Sequence, residues 1–268
     1  MKPLLLLLIA FPFNLFSQAY EPFGARSKSL ANASVCFSDV WAFYHNPGVL
    51  AKMEQFSVGI GYENRFLLKE FQVQGLTVVL PTKKGVFSLG ATYKGNEVLT
   101  TTKVGIGYGL KLAEKFYAGL QVNYHRISLG NFYGATNFVT AEAGFLAILS
   151  PKWQMGCSVF NVGRTRVLAS QDERLSTVFR LGTNYQFSEH VTSALEVEKT
   201  IEDAANLKIG LEYTLKKRFF MRGGLATSPL QLSFGFGFKS KRIQLDFGSA
   251  YSQWLGWSPH FSVTYHAK

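Results

Sequence analysis

The chain has 268 residues, a formal charge of +11, 15% aromatic residues and 25 glycines, with 17% charged residues, few for an ordinary soluble domain. Two cysteines, Cys36 and Cys157, are too few for a disulfide framework. The five histidines show no metal-ligand spacing, so neither a metal nor another cofactor is expected. The basic residues do not gather on a helix or in an aromatic-interleaved patch, which argues against nucleic acid.

Lys2 precedes an apolar run from Leu4 to Phe16, and the small residue Ser17 follows. This reads as a cleaved signal peptide over residues 1–18. A spanning helix needs about 20 apolar residues, whereas Pro12 and Asn14 interrupt this run. Residues 19–54 do not alternate. Within them Asp39 is placed to cap a short helical stretch, Val40 to Tyr44, which Pro47 stops near Asn46. That segment is too short for a separate domain and is expected to fold into or beneath the region C-terminal to it.

From residue 55 to 268 one pattern repeats. Val104, Ile106, Tyr108, Leu110 and Leu112 alternate with Lys103, Gly105, Gly107, Gly109 and Lys111. Leu232, Phe234, Phe236 and Phe238 enclose Ser233, Gly235 and Gly237. A period of two with one apolar face means strands half-buried in a sheet. About fourteen such segments are present, each of the length a tilted strand needs to cross a bilayer. The fold class is therefore all-β: a transmembrane antiparallel β-barrel with a short N-terminal helical plug.

The connections alternate in length, short at sites such as Pro81–Lys84 and Lys216–Arg218, longest at Gly130–Asn137 and Gly163–Ser176. Outer-membrane barrels have short periplasmic turns and longer outside loops. This places both termini on the short-turn, periplasmic side. Phe87, Phe116, Trp153, Phe187, Phe219, Phe238 and Tyr265 mark one water interface, and Tyr62, Tyr93, Tyr124 and Tyr251 the other. Two aromatic girdles flank a lipid-facing band, whereas a soluble β-sandwich has no reason to sort rings to both strand ends. Parity slips between Gln72–Gln74 and Leu76–Leu80, so a bulge that opens the wall is expected at Gly75, the alternative being a strand buried on both faces.

The short turns hold Lys83, Lys84, Lys115, Lys152, Lys216, Lys217, Arg218, Lys239, Lys241 and Arg242 against Glu114 and Glu189. Such a rim suits anionic headgroups or an acidic partner, or is plain solvated turn chemistry. Hairpin register places Arg180 opposite Glu198 and Glu212 opposite Arg222 on the polar face. Opposed charges stabilise a strand pair, and balanced pairs read as bracing more than as a substrate path. The glycines at 105, 107 and 109 lie inside a strand, where they leave room for an inserted segment rather than cradling a phosphate. No Ser-His-Asp order or paired-carboxylate site is convincing, and the chain is not expected to be an enzyme.

The stretch Gly24-Ala25-Arg26-Ser27 through Asp39, then Trp41-Ala42-Phe43-Tyr44-His45-Asn46-Pro47-Gly48-Val49-Leu50, resembles the mature N-terminus of FadL-type outer-membrane barrels. It is similar above all to the PorV/PorQ branch, though Gly48 stands where that branch has Ala. Phe160-Asn161-Val162-Gly163 is similar to the strand end common there. The resemblance implies fourteen strands and a lumen plugged around Asp39, Asn46 and Pro47. It also implies an accessory role beside a large membrane protein of type IX surface-protein secretion. The alternative is passive transport of small hydrophobic molecules through a sideways opening, as in FadL. Outer-membrane lipid is a partner in both readings.

Overall fold

The computed structural model describes residues 20–96, 98–130, 134–168 and 173–267; the expected signal peptide, 1–18, lies outside them. Fourteen strands close one antiparallel barrel. In chain order the strands are β1 (Ser57–Asn64), β2 (Gln72–Thr82), β3 (Gly85–Gly95), β4 (Leu99–Ala113), β5 (Phe116–Leu129), β6 (Ala135–Ser150) and β7 (Trp153–Phe160). The pair β8 (Arg166–Leu168) and β9 (Glu173–Arg174) forms a separate ribbon in a loop. The barrel resumes with β10 (Val178–Gln186), β11 (Val191–Thr200), β12 (Asn206–Leu215), β13 (Phe219–Thr227), β14 (Leu230–Lys239), β15 (Ile243–Ser252) and β16 (Gly256–His266). Each barrel strand pairs with the next barrel strand in the chain, β7 with β10 across the ribbon, and β1 closes on β16 from Ser57↔His266 to Glu63↔His260.

Burial along the strands is inside-out. Ile60, Ile106, Leu120, Leu181, Leu211, Phe236 and Phe261 are exposed, while Glu142, Arg180, Glu196, Lys208, Glu212, Arg222 and Asp246 are buried. In water that arrangement wastes apolar burial; in hydrocarbon it is the stable one, because closure leaves no strand edge unsatisfied. Both aromatic girdles are exposed on the outer face. Charges on that face would cost about 2–4 kcal/mol each at mid-bilayer, and the long alternating strands carry none there.

Residues 20–52 run through the lumen. Helix α1 (Ala25–Ser29) leads to 3₁₀ turns at Val40–Tyr44 and Pro47–Lys52. The Asp39 carboxylate accepts from Trp41 N at 2.9 Å, and the Asn46 side chain accepts from Gly48 N at 2.9 Å, so each turn is capped from its own sequence. Phe23, Trp41, Phe43, Tyr44 and Leu50 pack against Val73, Val79, Val86 and Leu146 of the wall.

Three expectations need correction. First, β2 has no bulge at Gly75: its register runs unbroken through Gly61↔Gly75 on one side and Gly75↔Thr92 on the other. Gln74, Leu76 and Leu80 face out, and Val73 and Val79 face in, buried against the plug. The apparent slip arose because this inner face is apolar where the plug meets it. Bulges occur instead beside the short turns, at Lys111/Ala113 and Ile148/Ser150. Second, loop lengths do not alternate throughout: Ser228 and Pro229 alone join β13 to β14, and β6 already begins at Ala135. Third, the first and last described segments lie at opposite ends of the barrel. Ser57 and His266 meet at the short-turn end, but Tyr20 packs on Phe160 and Glu21 pairs with Lys94, both at the long-loop end. The plug threads the whole lumen, so its start lies opposite the C-terminus.

Glycine allows the plug to sit this close. A Cβ on Gly48 would lie 2.6 Å from the Gly144 carbonyl oxygen, and one on Gly144 would overlap the Asn46 side-chain oxygen. Gly144→Ala is therefore expected to destabilise the barrel by about 1–3 kcal/mol through overpacking. Gly163→Ala, with open space around it, should leave stability unchanged. Urea titration followed by the heat-dependent gel shift of the folded barrel distinguishes the two outcomes.

Candidate functional site

The lumen is the site, and charge organises it. Arg26 of α1 reaches Glu212 of β12 at 2.7 Å and Asp39 at 3.2 Å. Glu212 also meets Arg222 of β13 at 2.6 Å, and Arg222 meets Asp246 of β15 at 2.7 Å. The Phe37 ring lies under the Arg26 guanidinium, 4.2 Å away. Four ions and the plug's own Asp39 thus form one chain across three strands.

A second node centres on Glu196 of β11. One of its oxygens accepts from the backbone N–H groups of Ser34 and Val35, at 2.8 and 2.9 Å. The other pairs with Arg180 of β10 at 2.6 Å. Arg180 also donates to the carbonyls of His45 and Asn32, at 2.9 and 3.0 Å. Arg180 and Glu198 are register partners, but their charged atoms are 3.6 Å apart and Glu198 pairs more closely with Lys208, at 2.6 Å. The expected Arg180–Glu198 contact is thus present at 3.6 Å, and Glu196, which register does not place opposite Arg180, is the closer partner. A long guanidinium reaches the diagonal partner two residues away on the same face, where the plug supplies two further donors. Glu212 and Arg222 are opposite in register and bonded, yet Arg26 of the plug is inserted into the same carboxylate.

At the long-loop end Glu63 of β1 meets Lys28 at 2.6 Å and Arg65 at 3.3 Å, while Glu21 meets Lys94 and Arg65. Lys103 and Asn123 hold Glu142 at 3.0 and 2.6 Å. The sequence reading missed Arg26, Lys28, Glu21, Glu63 and Arg65 as members of these networks. Glu63 was within reach of it, being an acidic residue at an inward parity of β1. Of the plug residues singled out, Asp39 caps and pairs, Asn46 donates to the carbonyls of Val35 and Phe145, and Pro47 lies against Gly119. Burial, with Arg180 nearby, holds the His45 imidazole well below its usual range and so uncharged. Cys36 is buried and donates to Gly182 O, Cys157 is exposed on the outer face, and both are free thiols.

Above the plug a vestibule of about 700 Å³ opens at the long-loop end, with Lys28, Asn32, Arg65, Glu198 and Lys208 in its wall. Tyr20 and Val178 also line it. They lead to an apolar cluster of Phe138, Phe160, Val167 and Leu175 inside the barrel. Beside this cluster the wall changes character. The β6–β7 ladder stops at Ala143↔Val159. Beyond it β6 is met by Val162 N, donating to Ala141 O at 3.0 Å, and by the Thr165 hydroxyl, donating to Val139 O at 2.7 Å.

No protein-family model matches the chain, and no curated protein does. Solved structures do match. The CymD monoaromatic hydrocarbon channel shares 13% identity over 91% of this chain and 97% of its own, with a TM-score of 0.73. The toluene transporter TbuX of Ralstonia pickettii shares 12% over 92% and 97%, at 0.69. A FadL homologue of Pseudomonas aeruginosa shares 11% over 90% and 98%, at 0.65. The chain has the fold of these FadL-type fourteen-stranded barrels.

Breaking one side of a buried ion pair costs about 3–5 kcal/mol, since the partner stays buried and uncompensated. Glu196→Gln should lower the unfolding free energy by about that much and speed hydrogen exchange at Ser34 and Val35. Unchanged stability with unchanged exchange would mean that this carboxylate does not hold the plug.

Proposed function

We propose that the chain is an outer-membrane barrel, short turns toward the periplasm, that passes small hydrophobic molecules from the outside into the bilayer. It carries out no chemical step. The observation that carries the reading is the unladdered edge of β6 beside an inward apolar cluster that borders the vestibule, apart from the apolar wall that the plug covers. The fold likeness to monoaromatic hydrocarbon and toluene channels supports it.

The plug, clasped by ions on several strands, closes the straight path to the short-turn end. A hydrophobic molecule entering the vestibule meets Tyr20 and Val178 first, then Phe138 and Phe160. Each Å² of apolar surface it buries there is worth about 25 cal/mol, enough to draw it from water without holding it. Its exit is sideways, between β6 and the segment around Val162 and Thr165, where among the described residues two hydrogen bonds rather than a ladder join them. Transport is passive and follows the gradient into hydrocarbon.

A second reading, an accessory barrel of type IX secretion, draws on the PorV/PorQ-like plug motif and on the filled lumen. It needs a large membrane partner, recoverable by pull-down in mild detergent.

The lateral route has a direct test. Val139→Cys with Thr165→Cys, in a Cys157→Ser background, should form a disulfide that staples the open edge. Toluene uptake by cells carrying the oxidised variant should fall to the level of cells lacking the protein and recover on reduction. Uptake that ignores the staple overturns the sideways path, and uptake equal with and without the protein overturns transport itself.

A further inference from the structure

The opposite mouth of the lumen has chemistry that hydrocarbon passage does not use. A cavity of about 220 Å³ opens there between the plug and the wall of β7, β10 and β11. Three cations line it, Arg26, Lys52 and Lys152, together with the amides of Gln154 and Asn184 and the hydroxyl of Thr192. No carboxylate is among the described residues of its lining. Arg26 is neutralised from behind by Asp39 and Glu212, which leaves the two lysines as net positive charge.

Lys52 is the informative one. It ends the last 3₁₀ turn of the plug, is partly buried, and its ammonium bonds Gln154 Oε1 at 3.4 Å. Burial lowers its proton affinity, and among the described residues no acid pairs with it. Buried charges are ordinarily paired, so a half-buried ammonium facing a cavity of amides and hydroxyls is half of an ion pair. With Gln154 Oε1 turned to Lys52, the same amide has its N–H groups free to donate.

We propose that the short-turn mouth holds an oxyanion site, in which a phosphate or carboxylate group sits between the Lys52 and Lys152 ammonium groups and accepts from Gln154, Asn184 and Thr192. The exposed rim of Lys83, Lys84, Lys216, Lys217, Lys241 and Arg242 surrounds this mouth and raises the local anion concentration, as a ring of like charge does. The rim gathers anions and the cavity selects one.

The test uses the full chain in neutral detergent, with thermal unfolding followed at constant ionic strength against a chloride reference. A ligand that binds the folded state raises the midpoint saturably. Inorganic phosphate, acetate and dihexanoyl phosphatidylglycerol are titrated in parallel. A saturable rise with inorganic phosphate or acetate supports a free-oxyanion site. A rise confined to the phosphatidylglycerol supports the same site filled by a lipid headgroup. Lys52→Gln and Lys152→Gln should each abolish the rise, whereas Lys241→Gln, out on the rim, should keep it. If Lys52→Gln fails to fold, Lys152→Gln carries the test. No saturable rise in the parent chain, or an equal rise in both cavity variants, overturns the proposal.

Discussion

The Glu196 carboxylate is the point on which the rest of the lumen depends. One oxygen takes two backbone N–H groups of the plug and the other takes the Arg180 guanidinium, which in turn holds two plug carbonyls. A wall charge paired only with another wall charge would stiffen two strands. Because the plug backbone is bonded into the pair, wall and plug form one hydrogen-bonded unit. The same logic recurs where Arg26 enters the Glu212–Arg222 pair and where Lys28 enters at Glu63. Buried ion pairs are poor sources of net stability but good at specifying one arrangement. Here they specify where an irregular segment rests inside a regular tube.

That arrangement decides what kind of traffic the barrel admits. The ions hold the plug across the lumen, and among the described residues the wall is laddered strand to strand with one exception, where the β6–β7 ladder stops at Ala143↔Val159. The exception lies beside the cluster of Phe138, Phe160, Val167 and Leu175. Unlike the apolar wall of Val73, Val79, Val86 and Leu146, which the plug covers, this cluster borders the vestibule through Tyr20 and Val178. Its position next to the unladdered edge of β6 is what the transport reading uses.

Much of this was readable from residues. Period-two alternation carried the strand number, because lipid outside and ions inside are as different as two surfaces can be. The plug's caps were readable at Asp39 and Asn46, since capping is local chemistry. What was not readable depended on contacts between distant segments. Gly75 looked like a slip because Val73 was assigned by hydrophobicity to the outer face with Phe71, and an inner wall packed against Phe23 and Trp41 is apolar for a reason outside the strand. Arg180 keeps its register partner Glu198 at 3.6 Å, but its closer bond to Glu196 goes with Ser34 and Val35, which lie 162 and 161 residues from Glu196 in the chain. The depth reached by the plug was invisible as well, being set by Glu21 meeting Arg65 and Lys94.

Asn161 ties the two functional readings to one piece of structure. It adopts φ +55, a left-handed conformation that Asn tolerates better than most residues. Its side chain donates to Leu175 O at 2.7 Å and accepts from Thr165 N at 3.0 Å, while its carbonyl accepts from the Thr177 hydroxyl. Those bonds end β7 at Phe160 and fold the chain away from the ladder, so that the edge of β6 facing β7 is met above Ala143 by the segment around Val162 and Thr165 and by the short β8, while its other edge stays paired with β5. The Phe-Asn-Val-Gly strand end that suggests the secretion branch is therefore also what ends the β6–β7 ladder, the place where the transport reading puts its exit. The motif follows from backbone geometry, and a strand ended in this way serves a passing molecule or a docking partner equally well. What tips the balance is the set of side chains gathered behind it. A partner approaching through the membrane would meet the outer face of β6, whereas the apolar cluster lies on the inner face, where only something already in the lumen can reach it.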